Sequence, residues 1–393
     1  MSGALKRDEW ETVRLGDVIT SAPVLKCGDG SYPILSMTMH DGIVYQSERF
    51  KKDLASKDKS GYKIVKPGQL VVGFPIDEGV LYIQRYAESG IMSPAYTVWD
   101  VDYTYLDKDY FELALHGPRS MKYYASKLRG STARRRSLPT PTFLALSLLL
   151  PPLDVQRRIA ETLDKVTELI TLRKTQLKKL DELVKARFVE MFGDPVINPK
   201  SWETAPLSAL ILNANNGMAR RGKDADGSIV LRLVELQNGF IDYSAPNRIC
   251  LNETEKKRYE LVDNDFLFAR VNGNPDSVGR CAVFKGIGEP VFHNDHIIRV
   301  HFDETKLNGC FTSVLLNSDY GKRQMREQIK TSAGQYTISQ DGIGAIIAIL
   351  PPLELQNQFA AFVEQTDKSK LTIQQSLDKL ELLKKSLMQQ YFG

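Results

Sequence analysis

The sequence predicts an α+β chain: two pseudo-symmetric modules of mixed α/β structure joined by a pair of long helices that form an antiparallel coiled coil. Three observations carry that expectation. Leu-Pro-Pro-Leu occupies residues 150–153 and again residues 350–353. Each copy opens a long periodic stretch that closes on Phe-Gly, at Phe192-Gly193 and at Phe392-Gly393. Each half also begins alike, with Trp10-Glu11-Thr12 and Leu15 echoed by Trp202-Glu203-Thr204 and Leu207. A duplication on this scale speaks to architecture before any local motif does, because similar copies fold to similar units.

A chain of 393 residues exceeds one ordinary core, so two domains are expected. Its 42% hydrophobic and 25% charged content is that of a soluble globular protein. The net charge of +4 permits a polyanionic partner without demanding one. Cys27, Cys250, Cys281 and Cys310 form no CxxC and suit a reducing cytoplasm. Lys6, Arg7, Asp8 and Glu9 leave no apolar core for a signal peptide. The longest apolar run, Phe143 to Leu150, is too short for a bilayer. The expectation is a soluble, cytoplasmic protein.

Residues 1–150 form the first module. Short β-rich runs at Pro33–Met37, Gln69–Phe74, Gly79–Ile83 and Tyr96–Trp99 alternate with turn signals at Gly28-Asp29-Gly30, Asp41-Gly42 and Pro67-Gly68. Near its end, Met121 to Arg136 carries Lys122, Lys127, Arg129, Arg134, Arg135 and Arg136 with Tyr123 and Tyr124, and no acid. So many cations repel one another unless a polyanion is at hand. A solvated helix end followed by a basic turn is the competing reading. Ser36, Thr38, His40, Tyr45 and Gln46 join the basic run as candidate DNA contacts.

Residues 151–193 form the first strut. From Ile159 a seam recurs at steps of four and three through Leu163, Val166, Ile170, Arg173, Leu177, Leu180, Val184, Arg187 and Met191. Pro151-Pro152 sets its entry and Gly193 its exit, with no Gly or Pro between.

Residues 194–350 form the second module, with strands expected at Ile229–Val234, Asp265–Arg270 and His296–Val300 and turns at Asn238-Gly239 and Asn272-Gly273-Asn274-Pro275. Basic residues recur before the second Leu-Pro-Pro-Leu: Lys322, Arg323, Arg326 and Lys330, then Gly334-Gln335-Tyr336-Thr337. That recurrence favours nucleic acid over a solvated surface. Arg220, Arg221, Arg232, Arg270, Asn272, Asn274, Arg280, Gln335 and Tyr336 supply guanidinium, amide and aromatic groups. Arg bonds guanine and Asn or Gln bonds adenine in the major groove. Which of them reach bases and which reach phosphates stays open.

Residues 351–393 repeat the strut with Phe359, Val363, Thr366, Lys370, Ile373, Leu377, Leu380, Lys384, Leu387 and Tyr391. Each helix would span roughly 55 Å at 1.5 Å per residue. Neither keeps one apolar stripe in water, so the two are expected to pair antiparallel, with Arg173, Arg187, Lys370 and Lys384 fixing register. Two independent helices, each folded back on its own module, remain the alternative.

Catalytic signals are poor. No Walker loop is present, and Gly342-Ile343-Gly344 runs straight into Leu350-Pro351-Pro352. No Asn-Pro-Pro-aromatic tetrapeptide of an amino-methyltransferase occurs; Asn274-Pro275-Asp276 reads as a turn. His293, His296, His301 and Cys281 lack the paired spacing of a zinc module. Asp100, Asp102, Asp107 and Asp109 read as a solvated acidic loop. The expectation is a non-catalytic chain without a metal.

The duplicated Leu-Pro-Pro-Leu-x-x-Gln starts, the Phe-Gly ends and the Trp-Glu-Thr openings together resemble the specificity subunit of type I restriction-modification systems. Tyr32-Pro33-Ile34-Leu35-Ser36, Ser93-Pro94-Ala95-Tyr96 and Gly334-Gln335-Tyr336-Thr337-Ile338 look like that family's target recognition domains. The first half departs from the Gly-Gln phrase, reading Gly130-Ser131-Thr132-Ala133-Arg134. The resemblance implies that residues 1–150 and 194–350 each read one part of a bipartite target in double-stranded DNA. It makes the helix pair a spacer ruler and the docking surface for two adenine methyltransferase subunits, which bring S-adenosylmethionine. A restriction subunit using ATP and Mg can join them, and this chain itself binds no cofactor. A coiled-coil scaffold without DNA readout and a stand-alone DNA-modifying enzyme are the competing readings.

Overall fold

The computed structural model describes residues 10–39, 41–49, 58–128, 138–332 and 334–393. The chain packs as two compact units, one of Met1–Lys174 with Gln375–Gly393 and one of Thr175–Gln374. Two helices of 40 residues, Leu153–Phe192 and Leu353–Phe392, each belong partly to one unit and partly to the other. Both start directly after Pro-Pro. The first ends where Gly193 adopts φ +80°, the left-handed turn that glycine accepts without strain.

Every seam residue named from the sequence is buried or half-buried, while its neighbours around the helix are mostly exposed. In the first unit Val155, Ile159, Ala160 and Leu163 share one core with Phe392 and the flanking Leu387, Met388 and Tyr391. Lys174 bonds Glu381 at 2.9 Å. The start of one helix thus meets the end of the other, an antiparallel pairing. The second unit repeats it: Val184, Phe188 and Phe192 pack with Phe359 and Val363, and Lys370 bonds Asp181 at 2.8 Å.

The polar seam positions Arg187 and Lys384 meet different surroundings. Arg187 lies over the Phe362 ring, 5.8 Å from its centroid, and bonds Glu190. Burial, with Lys174 nearby, pulls the basicity of Lys384 down.

The globular part of the first unit is built on an antiparallel sheet of Ile19–Ser21, Thr97–Val101, Leu70–Val72 and Leu81–Ile83, in that order. Leu70 pairs with both Trp99 and Ile83. Helices Lys108–Leu115 and Pro118–Lys127 cover it through Tyr110, Phe111, Leu115 and Tyr124. The second unit holds a sheet of Ile211–Asn216, Ile297–Phe302, Asp265–Ala269 and Cys281–Val283, covered by Gly309–Asn317. Two smaller sheets flank it: Arg248–Ile249, Ser228–Leu231 and Val291–His293, then Val271–Asn272, Gln335–Thr337 and Lys330–Ser332.

One expected strand is shorter than its sequence suggested. The run from Ile229 leaves the sheet after Leu231 because Arg232 and Glu235 close a turn, with the Arg232 amide donating to Glu235 Oε2 at 2.8 Å.

The two sequence echoes prove to be parts of one motif. Glu11–Arg14 pairs antiparallel with Ser147–Leu150, Glu11 opposite Leu150. Glu203–Pro206 pairs with Ile347–Leu350 in the same way, Glu203 opposite Leu350. The glutamine of Leu-Pro-Pro-Leu-x-x-Gln then locks each helix to its module. Gln156 Oε1 accepts the Asp107 amide at 2.9 Å, and its Nε2 donates to the Tyr105 and Pro151 carbonyls. Gln356 does the same to the Asn308 amide at 2.8 Å and the Lys306 and Pro351 carbonyls. Asp107 and Asn308 in turn cap Lys108–Leu115 and Gly309–Asn317. Buried at 1% and 0% exposure, each glutamine satisfies groups that would otherwise be desolvated and unpaired.

Candidate nucleic-acid interface

In the second unit the chain turns at Asn294–His296, and that turn gathers several candidates. The Arg270 amide donates to the His296 carbonyl at 2.8 Å, and Arg270 Nη1 donates to the Asp295 carbonyl at 3.1 Å. Arg221 Nη2 bonds Asp295 Oδ1 at 2.7 Å and touches His296 Nε2 at 3.3 Å. Beyond Arg270 the chain enters Val271–Asn272, where Asn272 stands opposite Tyr336. Asn272 Oδ1 then accepts the Asn274 amide, and Asn274 Oδ1 the Asp276 amide. Gly334, at φ +79°, makes the turn that sets Gln335 and Tyr336 beside Lys330–Ser332.

Arg221, Arg270, Asn272, Asn274, Gln335 and Tyr336 therefore share one part of the fold. Asp295 compensates the charge of Arg221, whereas Arg270 is bonded to a carbonyl. The Tyr336 ring packs half-buried on the core, and Gln335 is exposed. The group presents guanidinium, amide and aromatic functions, the set that reads base edges and grips phosphates.

Two candidates stand apart. Arg220 donates to the Cys250 carbonyl at 2.8 Å and pairs with Glu255 at 3.2 Å. Arg232 is held by Glu235, whose side chain is 4% exposed. Both guanidinium groups are engaged by carboxylates.

The first unit gives a more partial view. Ser36 and Tyr45 lie on the hairpin of Leu35–Met37 and Ile43–Tyr45. Thr38 is buried and holds its turn: its hydroxyl accepts from the Asp41 amide at 2.8 Å and donates to the Gly42 carbonyl. The Tyr45 ring lies 4.0 Å from the Tyr86 ring, tilted 37° to it. Gln46 is buried, its amide bonded to the Ile34 carbonyl. Lys122 and Lys127 are exposed on Pro118–Lys127. His40, Arg129, Arg134, Arg135 and Arg136 lie outside the described residues.

Sequence reasoning passed over Asp295, which joins Arg221 to Arg270, and a second polar group on the main sheet. There Arg299 donates to Asn213 at 2.7 Å and Asn215 at 3.2 Å, and also faces buried Asp265. Two signals were available: the Asn-rich run Leu212–Asn216, and the alternation of Arg299 and His301 with Ile298 and Val300.

The groups weighed for metal or acid chemistry serve the fold. Among the described residues no group of three or more His, Cys, Asp or Glu is placed to hold a metal ion. Burial pushes the Cys281 thiol up to about 12 and His293 down to about 4. His301 bonds Asp265 at 2.9 Å. Asp107 caps a helix, Asp109 pairs with Arg85, Asp102 accepts the Thr104 amide and Asp100 accepts from Gln69. Among the described residues no helix is long and apolar enough to cross a membrane.

Comparison with known proteins finds similarities to one family. The profile of the type I restriction modification DNA specificity domain matches residues 7–182. The StySPI type I restriction enzyme specificity subunit of Salmonella potsdam is 27% identical over 289 residues, covering 69% of this chain and 62% of that protein. The EcoKI specificity subunit of Escherichia coli K12 is 24% identical over 248 residues, covering 59% and 53%. The chain thus spans less than two thirds of the length of either relative. The crystal structure of the type I restriction-modification S subunit from M. genitalium superposes with a TM-score of 0.58 at 12% identity, covering 100% of this chain and 98% of that one. At that identity the likeness concerns the fold.

Proposed function

We infer that the chain belongs to the family of type I restriction-modification DNA specificity subunits. On that basis it recognises double-stranded DNA, one globular part reading each half of a bipartite target. The observation that carries this reading is the placing of Arg221 and Arg270 on one turn of the second unit, with Asn272 and Asn274 following Arg270 along the chain and Tyr336 and Gln335 on the strand paired with it. The first unit would present Ser36 and Tyr45 of its hairpin and the lysines of Pro118–Lys127 to the other half-site, while the buried Thr38 and Gln46 serve the fold.

The helix pair would act as the spacer and as the docking surface for two methyltransferase subunits. Exposed Leu172 at 51%, Leu371 at 60% and Leu382 at 68% support docking, since large apolar side chains at such exposure suit a partner surface. S-adenosylmethionine would belong to those partners, and ATP and Mg to a restriction subunit if one joins. The chain itself would be the non-catalytic reader of a cytoplasmic assembly.

Selection of bound duplexes from a random pool, using the full chain with its methyltransferase partner, tests this reading. A split motif with a constant gap is expected. Recovery of unselected sequence would instead favour the scaffold.

A further inference from the structure

A small cleft in the second unit is lined by Asn238, Asp276, Arg280, Asn317, Lys322 and Arg326, with apolar side chains completing its walls. Three cations face it and one acid, and that acid is already taken: Asp276 bonds Arg326 at 2.6 Å. Arg280 is half-buried. One of its Nη atoms donates to the Leu233 carbonyl, and its Nε is buried without a partner among the described residues. Burial pulls its basicity down. Lys322, on Asp319–Glu327, is half-exposed beside it. Uncompensated positive charge at a partly desolvated position is costly, and an arriving anion removes that cost.

The size of the cleft narrows the choice of anion. Its free space is about 20 Å³, little more than one water-sized group requires. A space of that size admits a single oxygen of a larger anion seated at its mouth, not a whole small molecule. Its position narrows the choice further. Asp276, on the cleft wall, donates its amide to Asn274, whose own amide is bonded by Asn272. The cleft is thus wired to the loop that carries the candidate base-reading amides.

We propose that the Arg280–Lys322 cleft seats a phosphodiester oxygen of bound DNA and so fixes the register in which Asn272, Asn274 and Gln335 approach the bases. The proposal rests on the DNA reading above. It assigns these cations to positioning rather than to sequence discrimination.

The test is fluorescence anisotropy of the full chain on target and random duplexes across a KCl series, with thermal unfolding as the fold control. The Arg280→Gln and Lys322→Gln variants should each weaken binding to both duplexes. Their log K against log salt should be shallower by about 0.9 for one lost phosphate contact. Arg280→Lys, which keeps the charge, should restore most of the slope. Lys322→Gln leaves the Leu233 bond intact, so it stays informative if Arg280→Gln fails to fold. An unchanged slope overturns the proposal, as does a loss confined to the target duplex, which would mark a base contact. Should the wild-type chain bind no duplex, the DNA reading fails and this proposal with it. Inorganic phosphate raising the Tm of wild type but not of Lys322→Gln would then identify a free-phosphate site instead.

Discussion

The ring of Phe392 lies 5.2 Å from the ring of Tyr110, inside the core of the first unit. Its counterpart in the repeat, Phe192, lies 4.8 Å from Phe311 in the core of the second. Each helix that follows one module therefore ends as a core residue of a unit, and the Phe-Gly phrase is a plug. The fit is tight: a Cβ on Gly117 would meet Phe392 Cβ at 2.4 Å. At the end of the first helix the Trp202 indole donates to the Phe192 carbonyl at 2.9 Å, and Lys200 caps the Glu190 and Met191 carbonyls.

Phe392→Ala should cost about 3–5 kcal/mol, the range for emptying an aromatic core site. Hydrogen exchange should show the loss in Lys108–Leu115, while Gly309–Asn317 keeps its protection. Phe192→Ala should give the reverse pattern. Equal loss in both helices from either variant would contradict the assignment of each plug to its own unit.

Gln156→Leu should destabilise the first unit by about 1–3 kcal/mol, because it strands the Asp107 amide and the Tyr105 and Pro151 carbonyls away from water. Gln356→Leu should do the same in the second. Denaturant melts of the full chain measure both, and a neutral result would show that water replaces the side chain.

Much of this framework was legible in the sequence. The seam from Ile159 to Met191 contains no Gly or Pro, so periodicity alone set its buried face, and Gly193 marked its end. The pairing of Glu11–Arg14 with Ser147–Leu150 was not legible, although both strands lie in the echoed phrases, since recurrence says nothing about contact. The arginines were the least readable. Arg220, Arg221 and Arg232 are alike in sequence, yet Glu255, Asp295 and Glu235 engage them differently. The Asp295 partner comes from a remote strand end that only the fold brings near.

Those differences make opposite predictions for two arginines. Arg270→Ala should cost about 1–3 kcal/mol of binding at one half-site if it contacts a base, with little change in Tm. Arg232→Ala should leave recognition intact and lower Tm, because it removes the guanidinium that bonds the nearly buried Glu235 carboxylate. Anisotropy on duplexes mutated in one half-site, paired with thermal melts, separates the two cases. A specificity change from Arg232→Ala would reassign it to the interface.

Acid should loosen the second unit through His293. Burial holds its pKa down at about 4, against 6.5 for an ordinary histidine, so the unfolded chain binds its proton first. The stability it contributes is complete above pH 6.5 and is lost as pH falls toward 4, on the order of 3 kcal/mol in full. Melts between pH 4 and 7 should flatten in a His293→Gln variant that retains its fold. An unchanged slope would place the acid sensitivity elsewhere.

The central claim is that this chain chooses where a partner methyltransferase acts. Methylome sequencing of a methylation-free host, carrying the methyltransferase with or without this chain, tests it most directly. A split motif with modified adenine in both halves is expected only when the chain is present, and Arg270→Ala should alter one half alone. An assembled complex that leaves no such motif, or a motif that persists without this chain, would contradict it.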